Sequence, residues 1–241
     1  MERWEPLGGG RILTSPRHRL TTDTLLLARF SLPSPGERCA DLGAGCGGVA
    51  LLWRLWGRPA HVRAVEVQEE AVRLLERSVA ENGLEGAVEP LRGDLRDYKT
   101  LLPHQGLDRV ACNPPYYPLG SGAQSQGRER ALARHEGALS LELLAQCGRY
   151  ALKTGGRLCL CLPVPRLAEA LALFRDTGLE PKRLRLVQLD QTRPPYLFLL
   201  ECRRGGRPGL AAEPTLLLRD ETGADSPQLR KVYGDYWKGR P

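Results

Sequence analysis

Apolar residues fall into two kinds of segment that alternate along most of the chain. Short apolar runs that end at glycine, proline or polar turns are typical of buried strands, whereas apolar residues three and four positions apart are typical of helices. Arg38–Leu42 has the first pattern and runs into a glycine-rich turn. Glu69–Asn82 has the second, because Ala71, Leu75 and Val79 share one face. The pattern therefore predicts alternating strands and helices.

Seven strands and four helices are predicted between residues 37 and 204. Such alternation is typical of a doubly wound α/β fold with a mainly parallel sheet. The last two strands have no helix between them, so we expect them to pair antiparallel at one end of the sheet. The predicted strands are Arg38–Leu42, His61–Val67, Ala87–Leu91, Leu107–Cys112, Arg157–Leu162, Leu184–Leu189 and Tyr196–Cys202, and the helices are Val49–Trp56, Glu69–Asn82, Leu139–Lys153 and Arg166–Thr177.

The two ends of the chain carry weaker signals. Threonine and aspartate at Thr21–Asp23 precede the apolar run Leu25–Ala28, which predicts a short capped helix. The Gly- and Arg-rich residues 203–214 are predicted to be a linker, followed by a short strand at Leu216–Leu218 and a helix at Ser226–Tyr233. The expected segments are an N-terminal lid or helix segment at 1–36, a main domain at 37–204 and a tail at 205–241.

Composition excludes several classes of protein. Hydrophobic residues make up 41% and charged residues 26% of the 241 positions, which excludes collagen, coiled coil and extensive disorder. The apolar runs fall far short of the roughly 18 residues that a membrane helix needs, and the N-terminus lacks the apolar region of a secretory signal. Seven cysteines without a C-x-x-C pair argue against disulfides and favour a reducing cytoplasm. The four histidines have no metal-ligand spacing, so no metal site is predicted.

The charge of the chain suggests a partner but does not identify one. Lysine and arginine total 35 against 28 acidic residues, a formal net charge of +7. A basic surface favours a polyanionic partner such as a nucleic acid. An arginine-, glycine- and leucine-rich composition also follows from a high-GC genome, so the charge leaves both explanations open.

A glycine-rich loop follows the first strand of the predicted sheet. Asp41–Gly48 (D-L-G-A-G-C-G-G) lies between a strand and a helix, where glycine lets the backbone turn sharply and approach a ligand. Glu66 ends the next strand, roughly 20 residues further on, where an acidic residue can accept hydrogen bonds from a ribose. Gly43, Gly45 and Gly48 match the G-x-G-x-x-G pattern of NAD sites. Gly43, Gly45 and Gly47, with Asp41 ahead of them, match S-adenosylmethionine sites, so the loop alone leaves two cofactors open.

A second motif, Asn113-Pro114-Pro115-Tyr116, follows the fourth predicted strand and favours methyl transfer to a planar nitrogen. The lone pair of an adenine amino group is delocalised into the ring, which makes the nitrogen a poor nucleophile. The Asn113 amide oxygen and the Pro114 carbonyl can each accept one of its N–H bonds, which frees the lone pair for attack on a methyl group. Pro115 stiffens the turn, and the Tyr116 ring can stack on a flipped base, worth about 1–3 kcal/mol.

With both motifs present, the chain resembles the class I S-adenosylmethionine-dependent methyltransferases that carry N-P-P-Y. Within that class it is similar to the bacterial tRNA adenine-N6 methyltransferase family that modifies position 37 of valine tRNA. Arg19–Ala28 (R-L-T-T-D-T-L-L-L-A) matches the opening of that family. Ala133–Glu136 (A-R-H-E) and Lys153–Arg157 (K-T-G-G-R) match two further blocks. The resemblance implies a Rossmann-like fold, S-adenosylmethionine as cofactor, and RNA, most specifically the anticodon loop of a tRNA, as substrate.

The resemblance also implies roles for individual residues. The cofactor residues it implies are Asp41, Gly43, Gly45 and Gly47 at the methionine end, Glu66 at the ribose, Asp94 at the adenine amino group, and Thr22 and Asp23 over the cofactor. The residues implied for the target base are Asn113, Pro114, Pro115 and Tyr116.

Other functions remain open at this stage. The same turn serves enzymes that methylate a protein glutamine amide, ribosomal RNA adenine or DNA adenine. An NAD-dependent oxidoreductase would account for the glycine loop and Glu66, but it leaves Asn113–Tyr116 without a role. A non-catalytic RNA-binding module would be expected to carry an eroded cofactor loop or turn, and both are intact here. The oligomeric state is not predicted.

Overall fold

The structure, a computed structural model, describes residues 1–114 and 139–234. Its strands are β1 (Arg3–Leu7), β2 (Gly10–Thr14), β3 (Arg38–Leu42), β4 (His61–Glu66), β5 (Val88–Arg92), β6 (Leu107–Cys112), β7 (Leu152–Pro163), β8 (Leu179–Gln188), β9 (Leu197–Arg204), β10 (Ala211–Ala212) and β11 (Leu216–Leu217). Its helices are α1 (Thr22–Phe30), α2 (Gly48–Trp56), α3 (Glu69–Glu81), α4 (Tyr98–Leu101), α5 (Leu141–Ala151), α6 (Leu167–Asp176) and α7 (Pro227–Tyr233).

The described residues form one large, mainly parallel sheet. Its strand order is β10-β8-β9-β7-β6-β3-β4-β5, with β11 also paired to β8. β9 runs antiparallel to its neighbours β7 and β8, and the remaining pairs are parallel. The predicted doubly wound α/β fold and its antiparallel strand are therefore confirmed. The order reverses between β3 and β6, and ligands bind at the carboxyl ends of the strands at such a point.

The expected count of seven strands is wrong, since the sheet has nine. The additional strands, β10 and β11, come from the C-terminal part of the chain and pair in parallel with β8. Residues 203–214 are correspondingly more ordered than a linker, because β9 extends to Arg204 and β10 follows. β11 corresponds to the short strand predicted at Leu216–Leu218, whereas β10 was not predicted, because its two residues are too few for the alternation of apolar and polar residues that marks a strand in a sequence.

A β-hairpin at the N-terminus was not expected. β1 and β2 pair antiparallel across a two-residue turn at Gly8-Gly9, where both φ angles are positive (53° and 96°). Such a turn matches the twist of a hairpin and favours Gly-Gly, so this dipeptide was the overlooked signal. The hairpin packs on α3, where the Leu13 N–H donates to Ser78 Oγ at 2.9 Å. Asn82 also exchanges hydrogen bonds with the backbone of Arg11.

Helices cover both faces of the sheet and enclose two groups of buried apolar residues. One group joins the sheet to α1, α2, α3 and α7. The other joins the opposite face to α5 and α6. In the part of the chain that the structure describes, no helix has the length and apolar character needed to cross a bilayer. This two-sided burial leaves the carboxyl edge of the parallel strands as the place where a ligand can reach the chain.

Ion pairs cross the sheet near the amino-terminal end of the parallel strands. The Glu201 side chain on β9 is 11% exposed and lies within 3.5–3.7 Å of Arg109, Arg157 and Arg183. Arg109 is also paired with Glu37 at 2.9 Å. Because Glu201, Arg109 and Glu37 are largely removed from water, each depends on its partners to offset the cost of desolvation, whereas Arg157 and Arg183 are partly exposed.

Glu201→Ala is expected to lower the free energy of unfolding by about 3 kcal/mol, because it removes the buried carboxylate shared by the three arginines and leaves the buried Arg109 with Glu37 as its remaining acidic partner. The matched control is Glu169→Ala, which removes an exposed pair with Arg166 and should cost less than about 1 kcal/mol. Urea denaturation of both variants measures the difference. Equal losses of stability in the two variants would show that the buried Glu201 network contributes no more than an exposed ion pair.

Candidate active site

A cavity of about 460 Å³ opens at the carboxyl ends of β3, β4 and β6, where the strand order reverses. This volume is within the usual range for small-molecule and cofactor sites. Six residues implicated by the sequence line it, namely Asp41, Gly43, Gly45, Glu66, Asp94 and Asn113. The other lining residues are Arg17, His18, Arg19, Leu20, Thr21, Thr24, Ala44, Cys46, Gly48, Val49, Val65, Val67, Gln68, Gly93, Leu95 and Leu139.

The glycine loop forms the floor of the cavity. Gly43 and Gly45 have positive φ angles of 70° and 55°, a backbone conformation that favours glycine. The Gly43 and Ala44 N–H groups donate to the Val65 carbonyl at 2.9 and 3.0 Å, which ties the loop to β4. A Cβ added at Gly45 would meet no heavy atom of the described residues within 4 Å. The backbone at Gly45 is therefore open to a ligand.

The next two glycines serve helix packing. A Cβ at Gly47 would lie 2.2 Å from Leu75 Cδ1 on α3. A Cβ at Gly48 would lie 2.6 Å from Thr24 Cγ2 and 2.9 Å from Leu20 Cδ1. Gly48 is thus the point where α1 approaches the start of α2. In an NAD site, this helix N-terminus would be expected to bind the pyrophosphate, so the contact with α1 disfavours NAD.

Glu66 holds the loop and also faces the cavity. Its Oε2 accepts the Gly45 N–H at 2.9 Å, and its Oε1 accepts the Val67 and Gln68 N–H groups, each at 2.9 Å. The residue is 6% exposed. An ionised carboxylate offers about four acceptor positions, so these three bonds leave capacity for a ribose hydroxyl.

Asp41 is a buried carboxyl in the same wall. It is 2% exposed, and its Oδ2 accepts the Ala50 N–H at 3.1 Å. Burial raises the pKa of Asp41 to about 7; the hydrogen bond from Ala50 opposes this rise, and the nearby Glu66 charge adds to it. A buried acid of this kind favours a cationic ligand group close to it, because the cation stabilises the ionised form.

Asp94 lies where apolar and polar surfaces of the cavity meet. Its carboxylate accepts the backbone N–H and the guanidinium Nε–H of Arg96, both at 2.9 Å. The hydrogen bonds from Arg96 hold the pKa of Asp94 below its ordinary value. Val67 and Leu95 supply apolar surface in the same cavity. A planar ring with an amino group fits such surroundings. The sequence motifs did not indicate these two apolar residues.

Asn113 lies just beyond β6, and its side chain reaches α1. Its Nδ2 donates to Thr24 Oγ1 at 3.5 Å. The next residue, Pro114, is buried, and it is not one of the described residues that line the cavity. Pro115 and Tyr116, with the Ala133–Glu136 block, lie outside the described residues.

The first turn of α1 meets the cavity through residues other than those expected. Thr21 and Thr24 line the cavity, whereas in the described structure Thr22 and Asp23 do not. Thr22 Oγ1 instead lies 3.0 Å from the Tyr233 hydroxyl of α7. Burial raises the pKa of the Asp23 carboxyl. Residues three apart share a face of a helix, so the rotation of α1 decides which pair faces the ligand.

The donor set of this cavity fits S-adenosylmethionine. That molecule combines a cationic amino acid end, a ribose and an adenine ring. The buried carboxyl suits the cationic end, and the carboxylate held by backbone N–H groups can accept a ribose hydroxyl. The apolar wall beside a second carboxylate suits the adenine ring and its amino group. Asp41, Glu66 and Asp94 are the residues that would hold these parts. Among the described residues, no group of His, Cys, Asp or Glu side chains is arranged to hold a metal ion.

Curated relatives resemble the chain over most of its length. The tRNA1(Val) (adenine(37)-N6)-methyltransferase of Tolumonas auensis is 27% identical over 220 residues, covering 91% of this chain and 90% of the relative. The protein of the same name from Porphyromonas gingivalis is 28% identical over 223 residues, covering 89% and 86%. The similarity is therefore not restricted to the cofactor loop.

Solved structures share the fold. A predicted O-methyltransferase from Agrobacterium tumefaciens superposes with a TM-score of 0.68 at 21% identity, covering 90% of this chain and 96% of that one. TYW2 of M. jannaschii, solved in complex with AdoMet, has a TM-score of 0.57 at 16% identity, covering 84% and 86%. At these identities the likeness concerns the fold, which is that of class I methyltransferases.

The family follows from a match that covers the cavity and the strands beneath it. Residues 18–162 match the family model described as the methyltransferase small domain. This range is more than half of the chain and includes Asp41, Glu66 and Asn113, so the resemblance found in the motifs is confirmed. The chain belongs to the methyltransferase small domain family, and its cofactor is S-adenosyl-L-methionine.

Proposed function

We propose that this protein methylates N6 of an adenine in RNA, and that its substrate is a tRNA anticodon loop. The observation that carries the proposal is the position of Asn113, in the wall of the same cavity as Asp41 and Glu66. A side-chain amide there offers an acceptor to an amino group that enters the cavity. The named relatives support an adenine in tRNA as the target.

The chemistry follows from what an exocyclic amine requires. S-adenosylmethionine supplies an electrophilic methyl group when bound. The Asn113 Oδ1 in the cavity wall would accept one N–H of the amine, and the N-P-P-Y resemblance assigns the other to the carbonyl of Pro114, which is not itself among the described lining residues. These two hydrogen bonds would turn the lone pair of the amine out of the ring and towards the methyl group. The amine proton becomes acidic only as the new bond forms, so no strong base is required in the wall. Positioning thus supplies most of the catalysis.

Basic side chains at the cavity support a polyanionic substrate. Arg17 and Arg19 line it, and the Arg17 side chain is 84% exposed, with Glu70 at 4.0 Å as its nearest acidic partner. Guanidinium groups in such a position can bind phosphates of a backbone that delivers its base to the cavity. Action on tRNA would place the protein in the cytoplasm, in agreement with seven buried, reduced cysteines.

The test is transfer of labelled methyl groups to four substrates in parallel. Total tRNA, ribosomal RNA, genomic DNA and protein would come from a host that lacks the modification, and nucleosides would be analysed afterwards. We expect N6-methyladenosine in the tRNA fraction, and mapping would identify the position. Label in protein alone would move the assignment to a glutamine amide, and label in DNA or ribosomal RNA would move it to those adenines.

Cofactor affinity is expected to rise with pH around neutrality. The Asp41 carboxyl, with its pKa raised to about 7, becomes ionised as the pH rises and then attracts the cationic cofactor. If only the ionised form binds, affinity at pH 6 should be about tenfold weaker than at pH 8, and binding near pH 7 should release about half a proton per bound cofactor. Calorimetry in buffers of different ionisation enthalpy measures both effects. Asp41→Asn should remove the pH dependence, and a persisting slope would assign it elsewhere.

A further inference from the structure

The side chain of Thr24 is held between the cofactor loop and Asn113. Its methyl group lies against Gly48, where an added Cβ would come within 2.6 Å of Thr24 Cγ2. Its hydroxyl lies 3.5 Å from Asn113 Nδ2. With the methyl against Gly48, the hydroxyl is directed to the amide, since threonine has few accessible χ1 rotamers.

The hydrogen-bond donors and acceptors around Thr24 can be assigned consistently. Thr21 Oγ1 accepts the Thr24 N–H at 3.3 Å as the N-cap of α1, and it lies 3.0 Å from Thr24 Oγ1. The Thr24 hydroxyl can therefore donate to Thr21 and keep its lone pairs for the Asn113 amide. In that arrangement Thr24 accepts from Nδ2, so the Oδ1 end of the planar amide is turned away from Thr24.

We propose that Thr24 is a positioning residue that sets the orientation of the Asn113 amide, so that the acceptor oxygen and not the NH2 group meets the substrate. This inference rests on the proposed function, because an adenine amino group needs an acceptor. An amide rotated by 180° would present two donors to a donor. The Thr24 hydroxyl thus defines which purine the site accepts.

A second contact fixes the turn that carries Thr24. Thr22 Oγ1 lies 3.0 Å from the hydroxyl of Tyr233, which is 1% exposed and belongs to α7. Leu229 and Val232 of α7 are buried in the same apolar group as α1. The C-terminal helix therefore holds one side of the α1 turn while Gly48 holds the other. The position from which Thr24 contacts Asn113 therefore depends in part on α7.

The test compares Thr24→Val with Thr24→Ser. Valine keeps the shape but lacks the hydroxyl, so we expect turnover of RNA to fall up to about 100-fold, as for a misplaced reacting group, and cofactor affinity to change far less. Serine restores the hydroxyl and should recover most of the turnover. Unchanged turnover in Thr24→Val, or an equal loss in both variants with the fold intact, would overturn the proposal.

Two readouts do not depend on methyl transfer. In the wild type, the Asn113 side-chain NH2 resonances should differ from those of Thr24→Val, and unchanged resonances would refute the contact. Binding of RNA with adenine at the target position should exceed binding with inosine, whose ring carries an acceptor oxygen in place of the amine. Thr24→Val should reduce this preference, and Thr100→Val, which removes a hydroxyl of α4 away from the cavity wall, should keep it.

The outcomes separate this inference from the proposed function. A wild type that shows no preference for adenine over inosine and methylates no RNA would refute the function, whereas the resonances would still report the Thr24 contact. A Thr24→Val protein with weak cofactor binding and an intact adenine preference would make Thr24 a cofactor contact and overturn the positioning role.

Discussion

Asn113→Ala is expected to reduce methyl transfer by about 100- to 1000-fold, the usual cost of removing one positioned polar group from a reacting centre. The variant loses the acceptor that would turn the amine lone pair out of the adenine ring. Asn113 lines the same cavity as Glu66 and Asp41, whereas the hydrogen bonds that tie the glycine loop to β4 are made by Glu66 and Val65. Cofactor affinity and stability should therefore be close to those of the wild type.

Parallel measurements of turnover and of cofactor binding by calorimetry check this prediction. Asn113→Asp is a useful companion, because it keeps acceptor oxygens while it removes the Nδ2 donor to Thr24. It should retain more activity than alanine. Turnover of Asn113→Ala near that of the wild type would show that the amide does not act on the substrate, and a loss of cofactor affinity would place it in the cofactor site.

Glu66→Ala is expected to weaken cofactor binding by about 10- to 100-fold, because a hydrogen bond to a charged group is worth about 1.5–3 kcal/mol. The substitution also leaves the N–H groups of Gly45, Val67 and Gln68 without the acceptor that they share in the structure. We therefore expect a lower melting temperature together with the lower affinity.

Two variants distinguish these contributions. Glu66→Gln keeps the size and one acceptor oxygen, so it should bind the cofactor better than alanine does. Glu70→Ala removes a nearby acid of α3 whose side chain is 37% exposed and lies 4.0 Å from Arg17, and cofactor affinity should not change. A Glu66→Ala protein that is less stable but binds the cofactor normally would limit Glu66 to holding the loop.

Much of the fold follows from local patterns. β3 and β6 begin and end at the predicted residues, and most of the other predicted strands and helices differ by a few residues at their ends. Each has enough apolar positions to show its period. β10 does not, since a two-residue strand forms only where β8 leaves an edge to pair with. β11 lies at the predicted Leu216–Leu218, but its pairing with β8 could not be predicted. The glycines of Gly8–Gly10 mark the N-terminal turn, but its position on α3 depends on the buried contact with Ser78.

In the site, too, some side chains could be identified from local patterns and others only from the packing of distant elements. Asp41, Glu66, Asp94 and Asn113 could be identified from the sequence because each lies at or just beyond the carboxyl end of a strand, and parallel strands bring those ends to one edge. Which residues of α1 face that edge could not be identified in this way. The rotation of α1 is set by Gly48 on one side and Tyr233 on the other.

The sequence alone was enough to infer the class of sheet, the glycine loop, the acids and the asparagine turn, because these depend on neighbours in the chain. Only the folded structure shows that Gly47 and Gly48 serve packing, that three backbone N–H groups hold Glu66, and that Thr24 contacts Asn113. Apart from the bonds of Glu66 with Val67 and Gln68, which are local, these contacts join residues that are far apart in the chain, and only the packing of α1, α2 and α3 against the sheet brings them together.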